Sequence, residues 1–558
     1  MSGIDVPRTR TGIAIRAALA ASWGLAILYV AVALAAMWHA PRVPYADGWG
    51  FLGHFASKPV VREILREDNG HHEVLPHAVR MFELRVFDAQ QWLQVGVGIG
   101  LLLATLACVW SVLRVISAPD RRAAAMLVAV LGLCWLGNIR TLGHANETVH
   151  AYLVTLCVTL GIAMLGSRGG EPPSVRATAT AALLGVIAAF SFSSGLAAFV
   201  ALLVVALLLR ARAIVHLVLG LTLAGTIILR RWSNAGIETA MLQFAPLSQL
   251  DLLLRWLAGP LVYAIWPVTD PALAAHVPTT PLRTLAEWMA RTWHEAFGPV
   301  MLARWPHLLV GVLGICWLAS VTWRARLGTS RPGMLGLGMA WFALAVGGMV
   351  AVGRLHYFDL HPDQLLAQRY LVWSSLFWAG LAIATLANAP RPRNVILVVL
   401  VIAAGLLPSQ FWMWRHGESM REVANTTSVA VAVGVVDPTL ELGETAPSEL
   451  IHVLPAIQGA GAAMFAWPET ALLGSSIYSS RRHSVPIAGV SIDPVMNLLG
   501  PPGRRVRFHA ASDEARLVLV DADGVARGIA IPDPEAGGWL GWMRGAEQGG
   551  PVRAFSLR

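Results

Sequence analysis

Residues Val95 to Val115 read VGVGIGLLLATLACVWSVLRV, an apolar run with a single charge at Arg114. A helix rises about 1.5 Å per residue, so about 20 such residues cross the roughly 30 Å hydrocarbon core of a bilayer. No water is present there to bond backbone N–H and C=O groups, and a helix satisfies them internally. Asn394 to Trp412 has the same character. Working outward, the apolar segments predict crossings near Arg16 to Met37, Trp92 to Val115, Ala123 to Leu136, Val149 to Leu165, Ala177 to Phe190 and Gly195 to Leu209. Five more follow near Ala213 to Leu229, Leu308 to Trp323, Met334 to Val352, Leu371 to Ala387 and Val395 to Trp414. The prediction is an all-α polytopic membrane protein of about eleven transmembrane helices. Ala177 to Leu209 reads either as a bent pair or as one long tilted helix. Leu252 to Val268 reads as a re-entrant or interfacial segment, or as a further crossing.

Composition agrees. Over 558 residues, 56% are hydrophobic and 13% charged, which excludes an ordinary soluble globular chain. Arg8, Arg10 and Arg16 precede the first apolar run, and no small-residue cleavage site follows it, so a retained first helix is expected. Cys108, Cys134, Cys157 and Cys316 all fall in apolar segments and read as small buried hydrophobes. Lys58 is the only lysine, and with the abundance of Ala and Gly this suggests a GC-rich bacterial genome. The net charge of +9 calls for no nucleic acid partner, because Arg at one set of helix ends supplies it.

Those arginines also orient the chain. With the N-terminus cytoplasmic, the inner connections hold Arg114, Arg121 and Arg122, then Arg168 and Arg176, Arg210 and Arg212, Arg324, Arg326 and Arg331, and Arg391 and Arg393. Asp120 and Glu171 are their only acids. This is the positive-inside pattern of an inner-membrane protein. The outer side then receives the long loop 39–91, the connections 138–148, 230–307 and 353–370, and everything after Trp414, and with them nearly all carboxylates and histidines.

The chain divides into a transmembrane domain, 1–414, and an extracytoplasmic C-terminal domain, 415–558. In the latter, charges, Gly and Pro interrupt the apolar runs too often for any to span. Arg516 to Val520 and Val525 to Ile531, joined through Asp521-Ala522-Asp523-Gly524, read as a hairpin in a small α/β or β-rich domain. The joining stretch faintly resembles a calcium loop, but Val525 holds a ligand position and no closing Glu is correctly spaced, so a turn is expected. The Asn-x-Thr matches at Asn146 and Asn425 are at chance level.

The first outer loop is richest in candidate chemistry. It opens with Tyr45-Ala46-Asp47-Gly48-Trp49, passes Arg62-Glu63 and Arg66-Glu67 at a spacing suited to a surface helix, and reaches Asp68-Asn69-Gly70-His71-His72-Glu73 before His77. Asp47 reads either as a carboxylate base on a lipid-linked substrate, with Tyr45 and Trp49 at headgroup level, or as a helix cap. His71, His72, Glu73 and His77 form a permissive set for a divalent metal, though without an established ligand spacing; solvated loop residues are the plainer account. Arg140, His144 and Glu147 follow the third helix, either as an ion pair or as a binding group. Arg354, His356, Asp359, His361, Asp363, Gln364, Gln368, Arg369 and Tyr370 precede a membrane helix, where Arg354 or Arg369 suits a lipid phosphate or simple headgroup anchoring. Ser191-Phe192-Ser193-Ser194-Gly195 interrupts an apolar run and reads as a cavity wall or a tight outer turn.

The order of features, one helix, a long outer loop opening with Asp47-Gly48-Trp49 and carrying Asn69-Gly70-His71, many helices and a small outer domain, resembles the polytopic bacterial proteins related to the C-type glycosyltransferases. Val429-Ala430-Val431-Ala432-Val433-Gly434-Val435 with Asp437-Pro438 is similar to the segment after their last helix. Gly70 stands where that family often has Glu, with Glu73 close by. The resemblance implies a polyprenyl-phosphate sugar donor and a glycan, lipid or protein acceptor, in an inverting single displacement on the outer face. It implies Asp47 as the base, with Arg354 or Arg369 offsetting charge on the departing phosphate. His71, His72, Glu73, Arg140, Glu147 and Tyr370 complete the expected substrate-binding set. A polysaccharide polymerase or ligase, a transporter and a non-catalytic envelope-assembly protein remain the alternatives.

Overall fold

The computed structural model describes residues 10–68, 70–166, 172–233, 243–265, 303–389, 392–440, 445–477, 483–533, 537–545 and 551–557, with scattered positions between 284 and 300. From the N-terminus run α1 (Arg10–Trp38), α2 (Gly48–Ser57), α3 (Val60–Ile64), the ribbon strands β1 (Glu67–Asp68) and β2 (His71–His72), α4 (Val74–Val86) and α5 (Trp92–Leu113). Next come α6 (Pro119–Cys134), α7 (Ile139–Leu142), α8 (Ala145–Leu165), α9 (Val175–Ala189), α10 (Ala197–Leu208), α11 (Ala213–Ser233), α12 (Pro246–Leu257) and α13 (Gly259–Ile265). Further on are α14 (Arg304–Ala325), α15 (Arg331–Gly353), α16 (Leu355–Leu360), α17 (Leu371–Asn388), α18 (Pro392–Gly405), α19 (Leu407–Ala432) and α20 (Pro447–Gly459). Strands β3 (His483–Val485), β4 (Ala488–Val495), β5 (Gly503–His509), β6 (Leu517–Val520), β7 (Ala526–Asp533), β8 (Gly538–Arg544) and β9 (Arg553–Ser556) follow.

Two compact units emerge: Met1–Trp38, Leu65–Pro76 and Val95–Gly417 form the first, and His39–Ile64, His77–Gln94 and Glu418–Arg558 the second. Among the described residues, ten helices are long and apolar enough to cross a membrane. Nine of them lie wholly or mainly in the first unit. Where α15 meets α17, a Cβ at Gly336 would lie 2.5 Å from the Gly380 carbonyl oxygen, and one at Gly380 would lie 2.5 Å from that of Gly336. Only glycine lets the two backbones approach so closely, the packing mode favoured where lipid supplies no hydrophobic drive. Tyr29 on α1 donates its hydroxyl to the Ala403 carbonyl at 2.7 Å, which closes a fully buried polar tip.

Ala177 to Leu209 is a pair of helices, not one. Helix α9 ends at Ala189, a 3-10 turn covers Ser193–Leu196, and α10 begins at Ala197. A Cβ at Gly195 would sit 2.0 Å from the Ala188 carbonyl oxygen, so the chain can double back this tightly only with glycine there. The predicted segment Leu252 to Val268 covers the second half of α12 and the short helix α13, with Trp256 and Leu257 buried; its last residues lie outside the described ones.

In the second unit, β3 to β9 form one antiparallel sheet in the order β3-β9-β6-β7-β8-β5-β4. The predicted hairpin is β6 and β7. Asp521 Oδ1 accepts from the amides of Asp523 and Val525 at 3.0 and 2.9 Å, and Gly524 takes φ +81, so the stretch is a turn with its carboxylate committed to the backbone. Pro447–Ala466, against expectation, also has the length and composition of a span. Its α-helical part is α20, whose Leu450, Val453, Leu454 and Ile457 are buried, with Val453 against Gly53 of α2.

Candidate functional site

One group of polar residues in the first unit gathers around a phenylalanine, Phe192. His71 stacks on Phe192 with centroids 4.0 Å apart and His150 stacks on it at 4.2 Å, with interplanar angles of 17° and 1°. Two imidazoles parallel to one ring at this distance would overlap on a shared face, so Phe192 is sandwiched between them. The ribbon that delivers His71 is tied to the α9–α10 break. Ser193 Oγ donates to the Gly70 carbonyl at 2.5 Å, and the Val74 amide donates to the Phe190 carbonyl at 2.8 Å. Arg230, at the end of α11, donates to the Gly70 and Ala189 carbonyls at 3.2 Å and to Ser193 Oγ at 2.8 Å.

Charge is arranged in linked pairs. Arg140 Nε donates to Glu147 Oε1 at 2.6 Å, with His144 Nδ1 at 3.3 Å from the same oxygen. One turn further along α8, His150 Nδ1 lies 3.6 Å from Glu73 Oε2 and within electrostatic reach of Glu147. His72 Nε2 stands 3.9 Å from Glu67 Oε2, and Glu67 in turn acts on Arg230. Glu147 thus meets Arg140, Glu67 acts on Arg230 and Glu73 meets His150, in a largely buried setting, with Arg354 acting on the neighbouring His71. Such groups are costly away from water unless paired, and pairing is what is found. Burial pushes the His71 imidazole down to about 3; Glu73 opposes the shift, and Arg354, His150 and Arg230 add to it.

Arg354 connects this cluster to a second group. Its guanidinium lies 5.6 Å from the Tyr357 ring centre, and that of Arg369 lies 5.9 Å from the same ring and 5.4 Å from the Tyr370 ring. Arg369 Nη2 donates to Tyr357 Oη and to Gln364 Oε1, both at 3.2 Å. Of the predicted set, His71, His72, Glu73, Arg140, Glu147 and Arg354 fall in or beside the Phe192 cluster, and Arg369 and Tyr370 in the adjoining one.

Asp47 belongs to the second unit. It is exposed, it precedes α2, and its side chain makes no capping hydrogen bond. Ala46 before it is buried in the left-handed region at φ +49, and its carbonyl accepts from Thr445 Oγ1 at 3.1 Å. Strain of this kind persists only where surrounding structure enforces it. Tyr45 and Trp49 are 8% and 1% exposed and pack in that unit's apolar core, so their rings face protein. The expected surface helix is shorter than its spacing suggested, because α3 holds Arg62 and Glu63 and ends at Ile64, and Glu67 enters β1.

His71, His72, Glu73 and His77 do not form one ligand set. Adjacent strand residues face opposite ways, and accordingly His71 meets Phe192 whereas His72 meets Phe190 and Glu67. His77 packs edge-on against Phe51 and Phe55 in the second unit. Among the described residues no three His, Cys, Asp or Glu side chains are placed to hold a metal ion.

His150, Phe192 and Arg230 were not among the predicted binding residues. His150 sits three residues after Glu147, on the same helix face, which is a readable signal. Arg230 is an arginine at a helix end predicted to be outer, an exception to the charge rule that deserved a reason. No family model matches this chain, and no curated protein matches it.

Proposed function

We propose that the chain is a membrane glycosyltransferase that moves a sugar from a polyprenyl-phosphate donor to an acceptor hydroxyl on the outer face of a bacterial inner membrane. One observation carries the reading. The end of α7, the start of α8, the α9–α10 break and the ends of α11 and α15 all contribute to the cluster around Phe192. Alternation from a cytoplasmic N-terminus assigns every one of them to the side opposite the Arg-rich connections. Paired acids, imidazoles and guanidiniums at one end of an apolar bundle suit a substrate with a charged head and a hydrocarbon tail.

In this mechanism Asp47 takes the acceptor hydroxyl proton, the oxygen attacks the anomeric carbon, and polyprenyl phosphate leaves with the bonding electrons. The family resemblance gives the charge on the departing phosphate to Arg354 or Arg369. Transfer of label from a polyprenyl-phosphate sugar, measured in membranes carrying wild type or Asp47→Asn, is the test. A loss of about 100-fold or more is expected for removal of the base. Equal transfer by the two proteins removes Asp47 from the mechanism.

A second reading, solute transport, is favoured by the two helix interruptions that flank the buried charges, at Leu136–Asn138 and at Ser193–Leu196. Substrate-dependent flux through proteoliposomes without sugar transfer would select it.

A further inference from the structure

Helix α4 is amphipathic in the inverted sense. Leu75, Phe82 and Val86 recur at helical spacing and are 43%, 53% and 53% exposed, with Ala78 and Val79 half-buried between them on the same face. Phe87 follows the helix end, 38% exposed, its ring 6.5 Å from that of Phe82. The opposite face carries three ionisable groups that are buried: His77 and Glu83 are fully enclosed, and Arg80 lies over the Phe51 ring at 4.3 Å; Arg85 alone of the helix's charges is exposed, next to Val86. A helix that faces water exposes its charges and hides its leucines and phenylalanines. Here Met81 and Leu84 are buried as expected, but His77, Arg80 and Glu83 are buried with them while Leu75, Phe82 and Val86 face outward, which is the pattern of a helix whose outer neighbour is hydrocarbon, with the long Arg85 side chain able to reach the headgroups.

We infer that α4 lies along the bilayer surface with Leu75, Phe82, Val86 and Phe87 immersed in lipid. The position of its C-terminal end selects lipid over a protein partner. Glu83 Oε2 accepts from the Gln94 amide at 3.0 Å, and the same carboxylate bonds the amides of Gln91, Trp92 and Leu93. This clamps the last turns of α4 to the first turn of α5, a helix of membrane-spanning length. Trp92 opens α5 at 45% exposure, with Arg42 stacked over its ring at 4.2 Å, and Trp38 closes α1 at 56%. Tryptophans at the ends of spanning helices settle at the headgroup level. A helix clamped at that level presents its outer face to the boundary of headgroups and acyl chains, where amphipathic helices sink about 5–10 Å.

The test is site-specific fluorescence quenching on the full chain. Phe82→Cys and Val86→Cys, with Asp513→Cys as an exposed site on the second unit, are made after replacing Cys108, Cys134, Cys157 and Cys316. Each is labelled with a bimane and reconstituted in vesicles of phosphatidylcholine and phosphatidylglycerol. Labels at 82 and 86 are expected to be quenched several-fold more by a doxyl-labelled lipid than the label at 513, and several-fold less by iodide. Labels at 82 and 86 that iodide quenches like the one at 513 would overturn the inference, as would labels shielded from both quenchers.

Discussion

Arg140 and Glu147 face each other across the short link between α7 and α8, the Nε donating to Oε1 at 2.6 Å with both side chains mostly buried. Removing one partner strands the other charge in a poorly solvated place, at a cost of about 3–5 kcal/mol. Arg140→Met is therefore expected to lower stability sharply in denaturant unfolding of the detergent-solubilised protein. The double variant Arg140→Met with Glu147→Leu should recover most of the loss, because it buries no unpaired charge. If the double variant is as unstable as the sum of the two single ones, the pair is not coupled.

The His71 imidazole is neutral in the folded chain, its affinity for protons pushed down to about 3 by burial. Between that value and the ordinary histidine range near 6.5, the unfolded chain binds the additional proton, so stability falls as pH falls through this window. The slope from this one group approaches about 1.4 kcal/mol per pH unit at most. Melting profiles from pH 7 to pH 5 should show the decline in wild type and a flatter profile in His71→Phe, which keeps a ring against Phe192. Parallel profiles would show that His71 takes up its proton without undocking.

At the α9–α10 break, Gly195→Ala would press a methyl group into the Ala188 carbonyl, 2.0 Å away. The contact is with backbone, so the turn must open, and the ties from Ser193 and Arg230 to Gly70 open with it. The expected result is faster hydrogen exchange at residues 70–74 and 190–196. Wild-type exchange rates in both segments would contradict the coupling of ribbon and break.

Asp521 holds the β6–β7 turn through two backbone amides, and Arg527 Nε donates to its other oxygen at 3.0 Å. Burial, the largest single influence, opposes the charge, but the Val525 amide, Arg527 and the Asp523 amide together outweigh it and hold the carboxyl below its usual range. Asp521→Ala should weaken the hairpin by about 1–2 kcal/mol, read as faster hydrogen exchange across residues 517–531. The wild-type advantage is complete above the ordinary aspartate range and disappears as pH falls through the depressed value.

The membrane helices were legible because hydrocarbon thickness sets a length that an apolar run such as Val95 to Val115 either meets or does not. The hairpin at Asp521 was legible because Asp-Gly turn chemistry is local. The docking of Gly70 on Ser193 was not, since the two residues are 123 positions apart and neither stretch has a period that names its partner. Asn69, part of the motif carrying the family resemblance, lies outside the described residues. The packing of Tyr45 and Trp49 was hidden for a similar reason: both suit an interface and a core equally well by composition, and the chain around Met420 to Val436 and α20 supplies the core they enter. Phe192 was visible as part of an interrupted apolar run, but its place between two imidazoles depends on residues from three separate segments.

The account depends on one arrangement, in which the acids and imidazoles emerge opposite the Arg-rich helix ends. Membrane-impermeant maleimide labelling of intact cells tests it directly, using single cysteines at the exposed positions Asp47, His361 and Arg212. Labelling at 47 and 361 from outside, with 212 labelled only after permeabilisation, is the predicted result. Labelling of 47 and 361 from different sides would contradict it.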